Sequence, residues 1–334
     1  MKIKREDDAD QDQKPRIGIV ADVSASARRA LELEKQRYPG ASAWAPDEEH
    51  LFKTLFQRAE RPLLPAHWDV DLRGIPVQDS IFAAEGADAD AAAGGAVVYS
   101  RSGKDYQATA ALLRLIDLTS SVRATVQSGQ RHKAPRVILA ALQRYVRWAA
   151  WDAGHAGRRI VPNMLVAAAA AAAAGLREDH HHHHYAAAEE EEAAITAGME
   201  RRMRALARRQ RDFFASSPHG TAQQEQHRRQ HQQEQEQEQE QEEQKEEKKG
   251  GGCRSQPQLP VVYGLFVLNC SVVLLSVDSA KGDDAYVSFH VAMDLEDRHQ
   301  SVWNALTVAV AVCLARNQLV RVVDAFEELP AAAS

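Results

Sequence analysis

Roughly eighty residues in the second half of this chain, from Gly175 to Gln256, have a composition that cannot build a core, and this interruption constrains everything the remainder can fold into. An alanine run leads into five histidines, His180 to His184, and four glutamates, Glu189 to Glu192. An arginine-rich segment and an alternating Gln/Glu tract then reach Lys249. Such composition offers too little apolar surface to offset the entropy lost on ordering. Of 334 residues, roughly 250 are left, enough for one large domain or two small ones. The predicted organisation is a disordered charged tail over 1–16, a helical α/β half over 17–174, the low-complexity insert over 175–256, and a β-β-β-α half over 257–330 completing the same domain. One part of the insert differs from the rest. Ile195, Met199, Met203, Leu206 and Phe213 share a side of a helix over about 193–215, with Arg201, Arg204, Arg208 and Arg211 opposite. Replacing residues 176–256 with a short Gly/Ser linker is expected to leave a folded protein, the exception being that this stripe docks on the sheet and its deletion exposes core.

Charge narrows the function classes. The formal net charge is −6, and 13 basic against 17 acidic residues give the insert −4, which leaves the ordered part only −2. Nothing in that balance demands nucleic acid or an anionic membrane. The three cysteines, Cys253, Cys270 and Cys313, form neither a CxxC pair nor an even framework, which fits a reducing compartment and points to a cytoplasmic or nuclear protein. The first sixteen residues lack the apolar run of a secretory signal. The apolar stretches Ile160 to Ala174 and Val302 to Ala315 fall short of the roughly 18 to 20 residues that span a bilayer, so we expect core rather than membrane. The sequon Asn269-Cys270-Ser271 would matter only in a secreted protein.

Periodicity places the elements. Ile17 to Val20 suits a short strand, and Ser24 or Ser26 can cap a helix running to about Arg37, ended by Pro39-Gly40. Pro46 and Asp47 open a second helix with Leu51, Phe52, Leu55 and Phe56 at helical spacing, while the proline-punctuated Leu63 to Phe82 reads as extended chain. From Asp105 to Gln127, Ala108, Leu112, Leu115, Val122 and Val126 form one helical stripe ended by Gly129. Pro135 opens a partner helix whose Ile138, Leu142, Tyr145 and Trp148 share a face until Gly154, and Ile160 to Val166 suits a buried strand. Val261 to Leu268 and Val272 to Val277 are apolar on both alternating faces, as in a hairpin covered on both sides. A third strand over Ala285 to Met293 places Val287, Phe289 and Val291 inward, with Tyr286, Ser288 and His290 on the other face. Asp297 and Gln300 then resemble a capping box before a helix that is apolar nearly all round. The expected fold is α/β: N-terminal helices packed with a small, mainly antiparallel sheet and a long buried C-terminal helix.

Few residues suggest chemistry. In His67-Trp68-Asp69-Val70-Asp71 two carboxylates of an extended chain point the same way and could share a hard cation, although solvated or capping aspartates are the commoner outcome. Asp278, His290, Asp294 and His299 could converge at one end of the sheet. A β-β-β-α unit ending in acidic residues is similar to the restriction-endonuclease-like fold, which implies carboxylates and a lysine on adjacent strands. Here Ser288-Phe289-His290 stands where the acidic-x-lysine motif would be, and Lys281 lies in the turn instead. The chain has no GxSxG, HExxH, GxxxxGK[ST] or strand-following GxGxxG motif, and Gly103-Lys104 is only a weak echo of a phosphate loop. The histidine run reads as repeat expansion, the 201–211 arginines as the solvated side of a helix, and Trp148 and Trp151 beside Arg144 and Arg147 as core and rim rather than a stacking platform. No residue is singled out as catalytic, cofactor-binding or metal-binding, and no cofactor is implied.

The Tyr263-Gly264 strand, the Val277-Asp278-Ser279 strand end and the Ser301-Val302-Trp303-Asn304-Ala305 helix start resemble uncharacterised proteins of filamentous fungi that carry similar homopolymer tracts. The resemblance covers the C-terminal seventy residues best and implies an intracellular fungal protein with no assigned activity. The expected function is that of a non-enzymatic interaction or regulatory protein with a protein partner. A metal-dependent nuclease, or an inactive nucleic-acid-binding relative of one, is the alternative.

Overall fold

The sheet begins from the most apolar part of the chain. In the computed structural model, which describes residues 26, 28–84, 95–158, 160–169, 184–216 and 259–323, the strands β2 (Val261–Leu268) and β3 (Ser271–Asp278) pair antiparallel, Val262 opposite Val277 and Leu268 opposite Ser271. Asn269 makes the reversal at φ 53°, a left-handed conformation that asparagine tolerates well. The strand β4 (Val287–Asp294) pairs antiparallel with β3, and β1 (Met164–Ala168) pairs parallel with β2. Among the described residues the sheet has four strands in the order β1-β2-β3-β4.

Each face of the sheet has its own cover. Val261, Tyr263, Leu265 and Val267 of β2, with Val272 and Leu274 of β3, join the larger core. The helices α2 (Pro46–Phe56), α3 (Asp105–Gln127), α4 (Ala134–Asp152) and α6 (Ser301–Val323) complete that core with Leu51, Leu112, Ile138, Leu142, Leu306 and Val310. Val262, Phe266, Val273, Leu275 and Val277 face the other way, onto Met199, Met203, Leu206 and Ala207 of the helix α5 (His184–Ala215). The protein is therefore α/β, with helices on both faces of a mixed sheet. Residues 1–43 form a separate unit in which residues 28–35 are helical (α1) and Ala41–Ala43 make a single 3-10 turn.

The helix within the insert is part of the packed structure. Met203 is fully buried and sits so close to β2 that a Cβ added at Gly264 would lie 2.5 Å from its sulfur. Burial of each such side chain contributes about 1.5–3 kcal/mol. The arginines reinforce the docking: Arg202 donates to the Ala168 carbonyl at 2.7 Å, Arg204 to that of Ala285 at 3.2 Å, and Arg211 to those of Ser279 and Gly282. Arg208 and Arg211 also pair with Asp283. Of the four arginines expected on the solvated side, Arg201 and Arg208 are exposed, whereas Arg204 and Arg211 reach back past the apolar stripe to carbonyls at the sheet rim.

Other local expectations shift. The strand expected at Ile160 to Val166 forms at Met164–Ala168, where β2 supplies the parallel register. Leu63 to Phe82 makes only one isolated bridge, Leu64 to Phe82, between the short 3-10 turns Ala66–Asp69 and Asp79–Ile81, because its prolines interrupt any ladder. In β4 Val287 and Phe289 share one face and Ser288 and His290 the other, but Ser288 and His290 are buried while Phe289 is 48% exposed, and a bulge between Phe289 and Val291 moves Val291 to the face of Leu274. Asp297 accepts from the His299 N–H and caps a 3-10 turn ahead of α6. Trp303 is only partly buried, with the Arg58 guanidinium over its ring. The stretch Arg298–Val322 is long and apolar enough by composition to cross a bilayer, yet 78% of that window is buried within the fold. Ile17 to Val20, Cys253 and the Gln/Glu tract lie outside the described residues, as do the histidines before His184.

Candidate functional site

The carboxylates proposed from sequence go to separate partners. Asp71 accepts a hydrogen bond from the Thr109 hydroxyl at 2.8 Å, tying its loop to α3, and Asp69 lies 4.0 Å from Arg73 at the surface. Asp278 caps the turn after β3 through the Ala280 N–H and faces Lys281 at 3.6 Å. Asp294 accepts from the Glu296 N–H, and His299 accepts from Arg298. Among the described residues no three His, Cys, Asp or Glu side chains come together in metal-holding range.

His290, on the same face of β4 as Ser288, joins a buried polar cluster instead. The Ser276 hydroxyl donates to Glu48 Oε1 at 2.6 Å and, having only one proton, accepts from His290 Nε2 at 2.7 Å, which assigns the Nε2–H tautomer. Glu48 Oε2 accepts from the Ala45 N–H at 3.0 Å, closing the first turn of α2, and the Trp44 indole donates to Ser288 at 2.8 Å while its ring lies against His290. Burial lowers the His290 pKa to about 4 and raises that of Glu48, against the Ser276 and Ala45 hydrogen bonds. A serine, a histidine and a glutamate in contact invite comparison with a hydrolytic triad, but the order is wrong: serine sits in the middle, and it is completely buried. The cluster fixes α2 on the sheet.

A second buried cluster fixes α4 to α6. Asp152 and Arg316 pair at 2.6 Å with almost no exposure. The carboxylate also accepts from the Arg101 and Ser102 N–H groups and the Ser100 and Ser102 hydroxyls. Burial raises the Asp152 pKa, and these donors with Arg316 more than offset it, leaving the carboxyl below its usual range. Burial pushes the Cys313 thiol up, and burial with the neighbouring Glu296 pushes Cys270 up to about 11, so neither is a reactive thiolate.

Among the described residues an open groove of about 640 Å³ lies between α3 and α4. Its floor is Leu115, Leu118, Val137 and Tyr145, with the small residues Ala110, Ala111, Ala140 and Ala141 along it. Arg114 and Asp117 stand on the α3 wall, Arg144 on the α4 wall, and Tyr106, 80% exposed, at one end. From Asp105 to Asp152 there are seven Lys/Arg against three Asp, so the hairpin carries +4 in a chain of net −6. Asp152 is neutralised by Arg316, while Arg123 and Arg131 are held by the Glu296 carbonyl and carboxylate. Arg144, Arg147, Trp148 and Trp151 stand out in the sequence, but the groove does not, its one signal being the alanine pairs Ala110-Ala111 and Ala140-Ala141 on the two helices. Comparison with known protein families, curated proteins and solved structures finds no match.

Proposed function

We propose that the protein is a non-catalytic interaction module of the cytoplasm or nucleus, and that the α3/α4 groove receives a protein partner. The observation behind this reading is a contrast. Ser276, Glu48, His290, Asp152 and Arg316 are buried and engaged with one another, whereas the groove is open, apolar along its floor and charged along its walls. A photo-crosslinking residue placed at the exposed Gln107, on the rim of the groove, should capture a partner in cells that the same residue at the exposed Ser120 does not. Capture at Gln107 should also vanish when Ala140→Phe fills the groove. Equal capture at both positions, or capture insensitive to the filling substitution, contradicts the reading.

A metal-dependent nuclease, or a silent relative that still binds nucleic acid, is the second reading. It is favoured by one observation: Glu48 of α2 lies near enough to Asp278, at the end of β3, for that charge to add to the rise in the Glu48 pKa that burial mainly causes. The purified protein should cleave neither DNA nor RNA with magnesium or manganese. Cleavage abolished by Asp278→Ala would install the nuclease reading in place of the first.

A further inference from the structure

We infer that the α3/α4 groove takes an acidic amphipathic helix of about four turns, with its acidic flank against α4. The inference rests on the docking reading above and adds the chemistry of the partner. Two antiparallel helices packed side by side leave a seam into which a third helix can set its side chains. Here the other side of the hairpin is already occupied by the core, through Leu112, Ile138 and Leu142, so the outward seam is the unfilled one. Groove lining extends from Tyr106 to Ser121 on α3 and from Val137 to Trp148 on α4. At 1.5 Å per residue that is roughly 17–22 Å, the length of an 11- to 15-residue helix. Ala110, Ala111, Ala140 and Ala141 project little from the backbone, so leucine-sized side chains at i, i+3 or i+4, and i+7 of a partner can descend between the walls.

Charge complementarity selects the partner and its direction of tilt. The charged residues exposed along the α4 side are all basic up to the buried Asp152: Lys133, Arg136, Arg144 and Arg147, of which Arg144 lines the groove. None of the three arginines has an ion-pair partner among the described residues. On the α3 wall Arg114 is followed one turn later by Asp117, so that side is mixed. A helix with glutamates on one flank only meets opposite charge along α4 and avoids repulsion from Asp117. Nucleic acid fits less well, because an apolar, alanine-lined floor offers its phosphates nothing and Asp117 repels them.

The test titrates the full chain with three fluorescent probes at low salt. One is a helical peptide of about 15 residues with leucines at the anchor positions and glutamates along one flank; the second carries lysines in place of the glutamates; the third is a single-stranded oligonucleotide of about the same length. The glutamate peptide should bind at least tenfold more tightly than the lysine peptide, and Arg136→Glu with Arg144→Glu and Arg147→Glu should reverse the order. All three arginines are exposed, so the triple variant should fold, and an unchanged melting transition verifies it. Ala140→Phe should abolish binding of the glutamate peptide. If Ala140→Phe abolishes binding but the two peptides bind equally, the groove reading stands and the acidic partner is wrong. If neither peptide binds, or Ala140→Phe has no effect, both fail. Oligonucleotide binding that the triple charge reversal removes, with no peptide binding, assigns the face to nucleic acid and overturns the inference.

Discussion

At Asp152 a single carboxylate holds a loop, a helix end and the fully buried Arg316 at once, so its loss leaves a guanidinium in the core with no counter-charge. Asp152→Ala should therefore cost about 3–5 kcal/mol in urea unfolding, and pairing it with Arg316→Met should recover part of that loss. Additive single and double effects would show that the two side chains are not coupled. His290 makes a pH prediction. An imidazole lowered to about 4 by burial binds its proton less well in the folded than in the unfolded chain, where 6.5 is its ordinary value. Stability must then fall as pH drops from about 6.5 to about 4, and level off below. Glu48 has the opposite sign: its raised carboxyl makes the fold lose stability as pH rises through and above the ordinary carboxylate range. His290→Gln should flatten the slope of melting temperature between pH 6.5 and 4, leaving the part due to His50, which burial also lowers. The same slope in wild type and variant would mean that His290 is protonated in the fold.

Among the elements, α5 carries the sharpest consequence. Met199, Met203, Leu206 and Ala207 cover one face of β2 and β3, so replacing residues 176–256 with a short Gly/Ser linker uncovers that face. The shortened protein should melt early or aggregate, and a chain that keeps residues 184–216 should regain the full melting temperature. A shortened chain as stable as the whole would mean that α5 adds nothing to the fold. Within the contact, Gly264→Ala sets a methyl 2.5 Å from the Met203 sulfur and 2.7 Å from the Phe266 ring. The methionine end can move but the ring is hemmed in, so a loss of about 1–3 kcal/mol is expected in urea unfolding. How much of this was legible in the sequence follows from what each signal encodes. The stripes of α3 and α4, the β2/β3 hairpin and the amphipathic stripe of α5 are local periodicities, and the residues named for them are largely the buried ones. Pairings across long separations carry no local signal: Ser276 with Glu48, Arg316 with Asp152, and β1 with β2 could not be read in advance. The bulge at His290 defeated the face assigned to Val291, because one extra residue inverts a period of two. The groove was illegible for a related reason, since alanine on a helix is as often ordinary helix former as groove floor.

At the scale of the whole molecule, the α/β layers bury the groups capable of acid–base or nucleophilic chemistry that Glu48, Ser276, His290, Asp152 and Cys313 supply, and present a positive, grooved hairpin from a chain that is negative overall. If this hairpin is where the molecule meets its partner, the five tryptophans report it. Trp148 lines the groove and Trp151 follows it on α4, with Lys104 over its ring. Trp44 packs against His290, Trp68 donates to Asp105, and Trp303 lies under Arg58. The measurement is a fluorine NMR titration of the full chain labelled with 5-fluorotryptophan, using the glutamate-flanked helical peptide as ligand. The Trp148 resonance should move most and Trp151 next, while Trp44 and Trp303 stay in place. Movement of Trp44 with Trp148 unmoved would contradict it, and would put the binding site at the Glu48, Ser276 and His290 cluster.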